Sequence, residues 1–263
     1  MKTNTPTTYQ AAIDACSTGD IRALQSLLDK GVEDDTSTIS GSDHDNLPTA
    51  AEMLEHAARH NQSEATQYLL DRYPDAPITD GIIWAAIESG SPAVYALIYS
   101  RDPVILNRAW NERGSSISFA VIGQHMALVE WLLSHGADPN VGSFGPLSAI
   151  AMATSCLPTK GIKLLVEHGA RLEGSGALQL AAAAGRLDVT RCLLDLGAPI
   201  NEVVDRTGLS SALHDAVAKG HADVVKLLLA RGADVDLKDK QGRAARDVAK
   251  TEGKKDMVAL LEK

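Results

Sequence analysis

Aromatic residues are scarce in this chain: 2 Phe, 5 Tyr and 3 Trp among 263 residues. Its core must therefore be built from Ala, Leu, Ile and Val, a composition that suits closely stacked helices. Basic residues are in the minority, 25 against 34 acidic ones, for a net charge of −9. A field of that sign offers no general attraction for phosphate, which argues against nucleic acid and against a membrane surface as partners. No run of 18 or more apolar residues occurs, and residues 1–10 lack the apolar stretch of a signal peptide. The three cysteines, Cys16, Cys156 and Cys192, are odd in number and far apart, which fits reduced thiols better than a disulfide framework. A cytoplasmic or nuclear protein is expected, not a secreted one. The glycine-rich dinucleotide fingerprint, the phosphate-cradling Gly-Lys-Ser/Thr loop and the Gly-x-Ser-x-Gly elbow are all missing.

What the sequence does contain is repetition. Gly-Ala recurs at Gly136-Ala137, Gly169-Ala170, Gly197-Ala198 and Gly232-Ala233, at spacings of 33, 28 and 35 residues. Each copy follows a bulky apolar pair: Leu132-Leu133, Leu165-Val166, Leu193-Leu194 and Leu228-Leu229. Upstream, Leu27-Leu28, Leu69-Leu70 and Ile98-Tyr99 extend the series, and Leu261-Glu262 is a degraded last copy. About eight units therefore cover the chain. In each, a segment of small residues is followed by a polar or glycine break and then an amphipathic segment. The alanine pairs Ala57-Ala58 and Ala181-Ala182 let first helices lie close together, and the glycine supplies the left-handed residue that ends the second helix. First helices are expected near residues 10–17, 50–59, 81–88, 116–122, 147–155, 177–184, 211–219 and 244–251.

The clearest copy, Ala212-Leu213-His214 through Gly232-Ala233-Asp234-Val235-Asp236, closely resembles an ankyrin repeat. The resemblance implies an all-α fold, a single solenoid of helix-turn-helix units over residues 1–263 with degenerate terminal repeats. It also implies that His214 bonds the turn of the next unit. The last unit is made polar by Arg246, Lys250, Glu252, Lys254, Lys255 and Asp256, as a cap should be. Residues 32–48, with Glu33, Asp34, Asp35, Asp43 and Asp45 among Ser, Thr and Gly, read as a flexible acidic insertion. Residues 103–116 form a second long connection, and its Val104, Ile105, Leu106 and Trp110 must pack on something.

The resemblance places binding on the concave side, formed by the first helices and the loop tips. Helical spacing selects the residues of that face. Phe119, Ile122, Met152, Cys156, Leu180, Ala183 and Ala184 form an apolar floor; His56, Arg59, His60 and Glu88 stand on one side, Asp215 and Lys219 on the other. Trp84, Trp110 and Phe144 are candidates for the rim. An apolar concavity with a few polar groups describes a ligand site. His56 and His60 lie one helical turn apart, with Glu88 or Asp14 as a third group, but Ala57 stands where His-Glu-x-x-His needs its glutamate. No metal and no cofactor are therefore expected. Two functions follow. The preferred one is a binding module that recognises a protein or peptide partner through groove and loop tips. The alternative is an enzyme or carrier that encloses a hydrophobic small molecule, a cofactor-independent cyclase or isomerase, or a catalyst of addition, with His56, His60, Glu88 and Asp215 as candidate catalytic groups.

Overall fold

The computed structural model describes residues 8–33, 47–110, 114–142, 147–204 and 210–262. Within them lie sixteen α-helices and no strand beyond an isolated bridge between Ala109 and Ser115. Residues 34–46 of the acidic insertion, residues 111–113 of the second long connection, and Phe144 fall outside this description. No helix among the described residues is long and apolar enough to cross a membrane.

Two compact units are present, Met1–Leu106 and Asn107–Lys263. The first holds α1 (Thr8–Thr18), α2 (Ile21–Glu33), α3 (Ala50–Arg59), α4 (Ser63–Arg72), α5 (Asp80–Glu88) and α6 (Pro92–Arg101). The second holds α7 (Ser116–Ile122), α8 (Met126–Ser134), α9 (Ala149–Cys156), α10 (Thr159–Glu167), α11 (Ala177–Ala183) and α12 (Leu187–Asp195). It continues with α13 (Ala212–Lys219), α14 (Ala222–Ala230), α15 (Ala245–Thr251) and α16 (Lys255–Leu261). Within each unit, odd-numbered helices are the first of each pair and pack side by side in a row, and even-numbered helices form a second row behind them.

Local signals start these helices where the sequence places them. Thr49 caps α3 in a capping box with Glu52, and Thr79, Ser91, Ser148 and Ser211 cap α5, α6, α9 and α13 with their hydroxyls. The glycines of the Gly-Ala pairs end the second helices at φ near +90°, where an L side chain would be strained. Alanine packs the first-helix row: Ala12, Ala57, Ala58, Ala86, Ala120, Ala181, Ala182 and Ala216 are fully covered. Leu and Val from the second helices fill the space between rows, as Leu132, Leu165, Leu193 and Leu228 show.

Helices of seven to thirteen residues expose a large share of their backbone at the ends. Neighbouring repeats satisfy it. The residue just before a second helix reaches back to the end of the preceding first helix: Gln62 Nε2 donates to Ser17 O at 3.0 Å, Arg186 Nη1 to Thr154 O at 2.8 Å and Leu157 O at 3.0 Å, and His221 Nε2 lies 3.0 Å from Ala183 O. At the other end, Asn107 and Asn140 each bond the next repeat twice. Asn140 Nδ2 donates to Gly169 O at 2.9 Å while its Oδ1 accepts from Arg171 N at 2.9 Å. Asn107 does the same with Gly136 O and Asp138 N, and Asn201 Oδ1 accepts from Asp234 N.

The ladder skips one position for a chemical reason. Glu173 stands where the next asparagine would, and the residue it would meet is Pro199, which has no N–H to give. Two hydrogen bonds at about 1 kcal/mol each set the scale, so Asn140→Ala should lower stability by about 1–2 kcal/mol. Glu173→Asn should gain almost nothing. Urea unfolding of the two variants against the parent checks both, and a stabilising Glu173→Asn would show that the asparagine acts by something other than this paired bond.

Candidate functional site

The residues singled out on first helices fall into two groups, one in each unit. In the first unit, His56, Arg59 and His60 sit on α3, with Trp84 and Glu88 on α5, which packs beside it. Arg59 is the hub of this group. Its guanidinium donates to Glu55 Oε1 at 2.9 Å and, through the other nitrogen, to Glu88 Oε2. Glu88 is thus held by Arg59. The two imidazoles stack, with ring centroids 6.2 Å apart and planes at 8°. His60 Nδ1 lies 2.9 Å from His56 O, while His56 Nδ1 is buried without a hydrogen-bond partner. Among the described residues no group of three or more His, Cys, Asp and Glu side chains is arranged to hold a metal ion.

In the second unit α7, α9, α11 and α13 pack in that order, and they set the apolar candidates on successive rungs of one row. Ile122 is 39% exposed, and Phe119, Cys156, Leu180 and Ala183 are half-buried. Met152 departs from the expected face. It lies on α9 between two packed first helices and is only 7% exposed, so it belongs to the core. Ala85 in the first unit is likewise fully covered. Trp84 and Trp110 are half-buried; Trp110 lies in the connection after α6, with the Arg108 guanidinium 5.8 Å from its ring centroid. Ile105 and Leu106 of that same connection are buried, whereas Val104, expected to pack with them, is 73% exposed.

Asp215 and Lys219 follow on α13. Asp215 is half-buried: Oδ1 accepts a long 3.5 Å bond from Ser210 N, and Oδ2 is enclosed with no partner. Burial pushes its carboxyl up to about 6, against the pull of the Ser210 N–H and of Lys219. One serine–histidine pair is also present, Ser211 Oγ 2.7 Å from His214 Nδ1. That contact has the geometry of an activated hydroxyl. Yet Ser211 and His214 are 1% and 2% exposed, Ser211 also caps α13, and His214 Nε2 lies 3.0 Å from Arg243 O in the next turn. The pair is structural. Gln179 and Ser118 occupy the same helix position and reach Glu202 O at 2.9 Å and Gly142 O at 2.9 Å. Thiol chemistry finds no support at Cys16, where burial pushes the thiol up to about 12.

Three of the concavities among the described residues are lined by none of Phe119, Ile122, Leu180 and Ala183. Two lie on second helices and one at the turns before α14 and α16. Sequence reasoning also passed over the cross-repeat ladder, although the asparagine four residues after Gly136 and Gly197 is a visible signal for it.

A family model for ankyrin repeats matches three copies in residues 150–239. Human ankyrin repeat and SOCS box protein 2 is 35% identical over 94 residues, which is 33% of this chain and 14% of that protein; the mouse and bovine proteins are 34% identical over the same length. The chain thus aligns with only a small part of these relatives. Among solved structures, the ankyrin repeat domain of Bcl-3, a member of the IkappaB family, has a TM-score of 0.66 at 22% identity, covering 80% of this chain and 97% of that one. A second, the ankyrin repeat protein EF0377, gives 0.62 at 25% identity over 71% and 99%. Residues 150–239 thus carry three ankyrin repeats, and helix pairs of the same kind lie before and after them.

Proposed function

We propose that the chain is a binding module for a protein or peptide partner, engaged along the first-helix row of its second unit and the adjoining turns. Ankyrin repeats generally serve as protein-interaction modules, and the row offers what a partner needs. The carrying observation is the part-exposed run of Phe119, Ile122, Leu180 and Ala183, ending in the charged pair Asp215 and Lys219. Reading the two units as one continuous solenoid belongs to the same proposal. A small-molecule enclosure has less behind it, because the run is part-exposed and none of the three concavities named above includes it.

Ile122 is the side chain to change, since its exposure lets a charge be introduced without opening the core. Ile122→Asp should leave thermal unfolding within about 1 kcal/mol of the parent and weaken partner capture by tenfold or about that, the cost of placing a charge in an apolar contact. Quantitative pull-down with parent and variant measures this. Undiminished capture by the variant, or stabilisation by an apolar small molecule with no macromolecule captured, would overturn the proposal.

Asp215 adds a pH dependence. Its carboxyl titrates near 6 when folded and near 4 when unfolded, so between those values the folded chain holds the extra proton. Stability from this group is therefore greatest below about pH 4 and is lost as pH rises through 6. Discounted for partial exposure, the loss is about 1–2 kcal/mol. Asp215→Asn should stabilise the chain by that amount at pH 8 and leave it nearly unchanged at pH 4.5, as read from urea unfolding at the two pH values. Equal effects at both would show that the carboxyl is not the source.

A further inference from the structure

The first unit carries a second surface, on its other helix row. Outward residues of α4 meet the start of α2 and one face of α6 around a groove of about 520 Å³. Ile21, Tyr68, Ala93 and Leu97 make its apolar floor, and Glu64 and Asp71 stand at its edge. Glu64, Gln67, Tyr68 and Asp71 follow the i, i+3, i+4, i+7 spacing, so one continuous face of α4 is presented to it. None of the lining residues is basic. Of the neighbouring cations, Arg22 follows Ile21 and is exposed, while Arg72 and Arg101 are turned to other work: Arg72 donates to Leu28 O at 3.2 Å and Arg101 to Leu70 O at 2.7 Å, both carbonyls of the preceding second helix. Asp71 keeps a 3.6 Å contact with Arg101, while Glu64 makes no ion pair among the described residues.

The unit that carries this groove is the acidic one. Residues 1–106 hold 16 of the 34 acidic residues and only 6 of the 25 basic ones, a net −10 against +1 for the rest of the chain. The corresponding helix row of the second unit has a different character: its concavity between α10 and α12 is lined by Lys163 and Arg191 together with Asp188 and Asp195. An apolar trough under a negative potential selects a complementary occupant. We propose that the groove formed by α2, α4 and α6 docks a basic amphipathic segment of a partner protein, one that seats two apolar side chains over Tyr68 and Leu97 and sets Lys or Arg beside Glu64 and Asp71. This surface is independent of the first-helix row of the second unit, and either can fail without the other.

The experiment is a selection from a random peptide library displayed on phage, against the full chain, followed by a synthetic copy of the most frequent peptide. Recovered sequences should place Lys or Arg on both sides of an apolar pair. The peptide should bind the parent at least about tenfold more tightly than the Glu64→Lys/Ala93→Lys double variant, and its affinity should fall as salt is raised. Ile122→Asp should leave its binding unchanged. Both substituted positions are helical and at or near the surface, and circular dichroism verifies the fold; should the double variant misfold, Glu64→Gln alone should weaken binding by about threefold. Peptides without basic enrichment, equal binding to the charge-reversed chain, or loss on Ile122→Asp would each overturn the proposal. So would a dimer of the parent that the double variant dissociates, because the occupant would then be a second copy.

Discussion

A helix of two or three turns cannot satisfy its own ends, and the architecture follows from that constraint. Four carbonyls at each C-terminus lack an intrahelical acceptor role, and isolated helices this short are marginal in water. Here the missing donors come from the adjacent repeat. Gln62, Arg186 and His221 serve the first helices, and Arg101 serves a second helix. A repeat is thus completed by its neighbour in its polar groups as well as in its apolar face, so stability is a property of adjacent pairs. Gly185 shows how tight the arrangement is. It has φ of +69°, and a Cβ there would come within 2.6 Å of His221 Nδ1, the group that bridges to Ala183. The turn and its bridge are compatible only without a side chain.

That division of labour explains which parts of the molecule were legible in the sequence. Periodicity exposed the helix pairs because apolar pairs and glycines must recur wherever a second helix ends. The first helices expected near 50–59 and 116–122 match α3 and α7 as they stand. The bonding of His214 to the next turn was also readable, since that residue sits within the best-preserved copy. Its equivalents were not readable, because Gln179 and Ser118 carry out the same bond with different chemistry. Identity varies there while donor position is kept, and a search for a recurring letter misses it.

Side-chain exposure was harder to read than helix position. Helical spacing alone assigns Met152 and Ile122 to the same face, yet one is 7% and the other 39% exposed. The difference comes from the ends of the triplet: Met152 begins its turn deep in the packed row, whereas Ile122 closes α7 beside the exposed turn at Gly123 and Gln124. Charge partners were harder still. Glu88 is placed by Arg59, 29 residues away, and no spacing rule within one helix anticipates a bond between neighbouring helices.

The two helix rows carry different constraints, and this bears on where recognition can evolve. First helices approach so closely that alanine fills most of their contacts, leaving their outward positions to carry other side chains. Second helices are held to the first row by one face and present the opposite face to water, where Lys163, Arg191 and Lys226 in one unit contrast with Gln67 and Ala96 in the other. Substitution on that outer face leaves both the core and the bridging ladder untouched. Surface chemistry can therefore differ sharply between units without any cost to the fold.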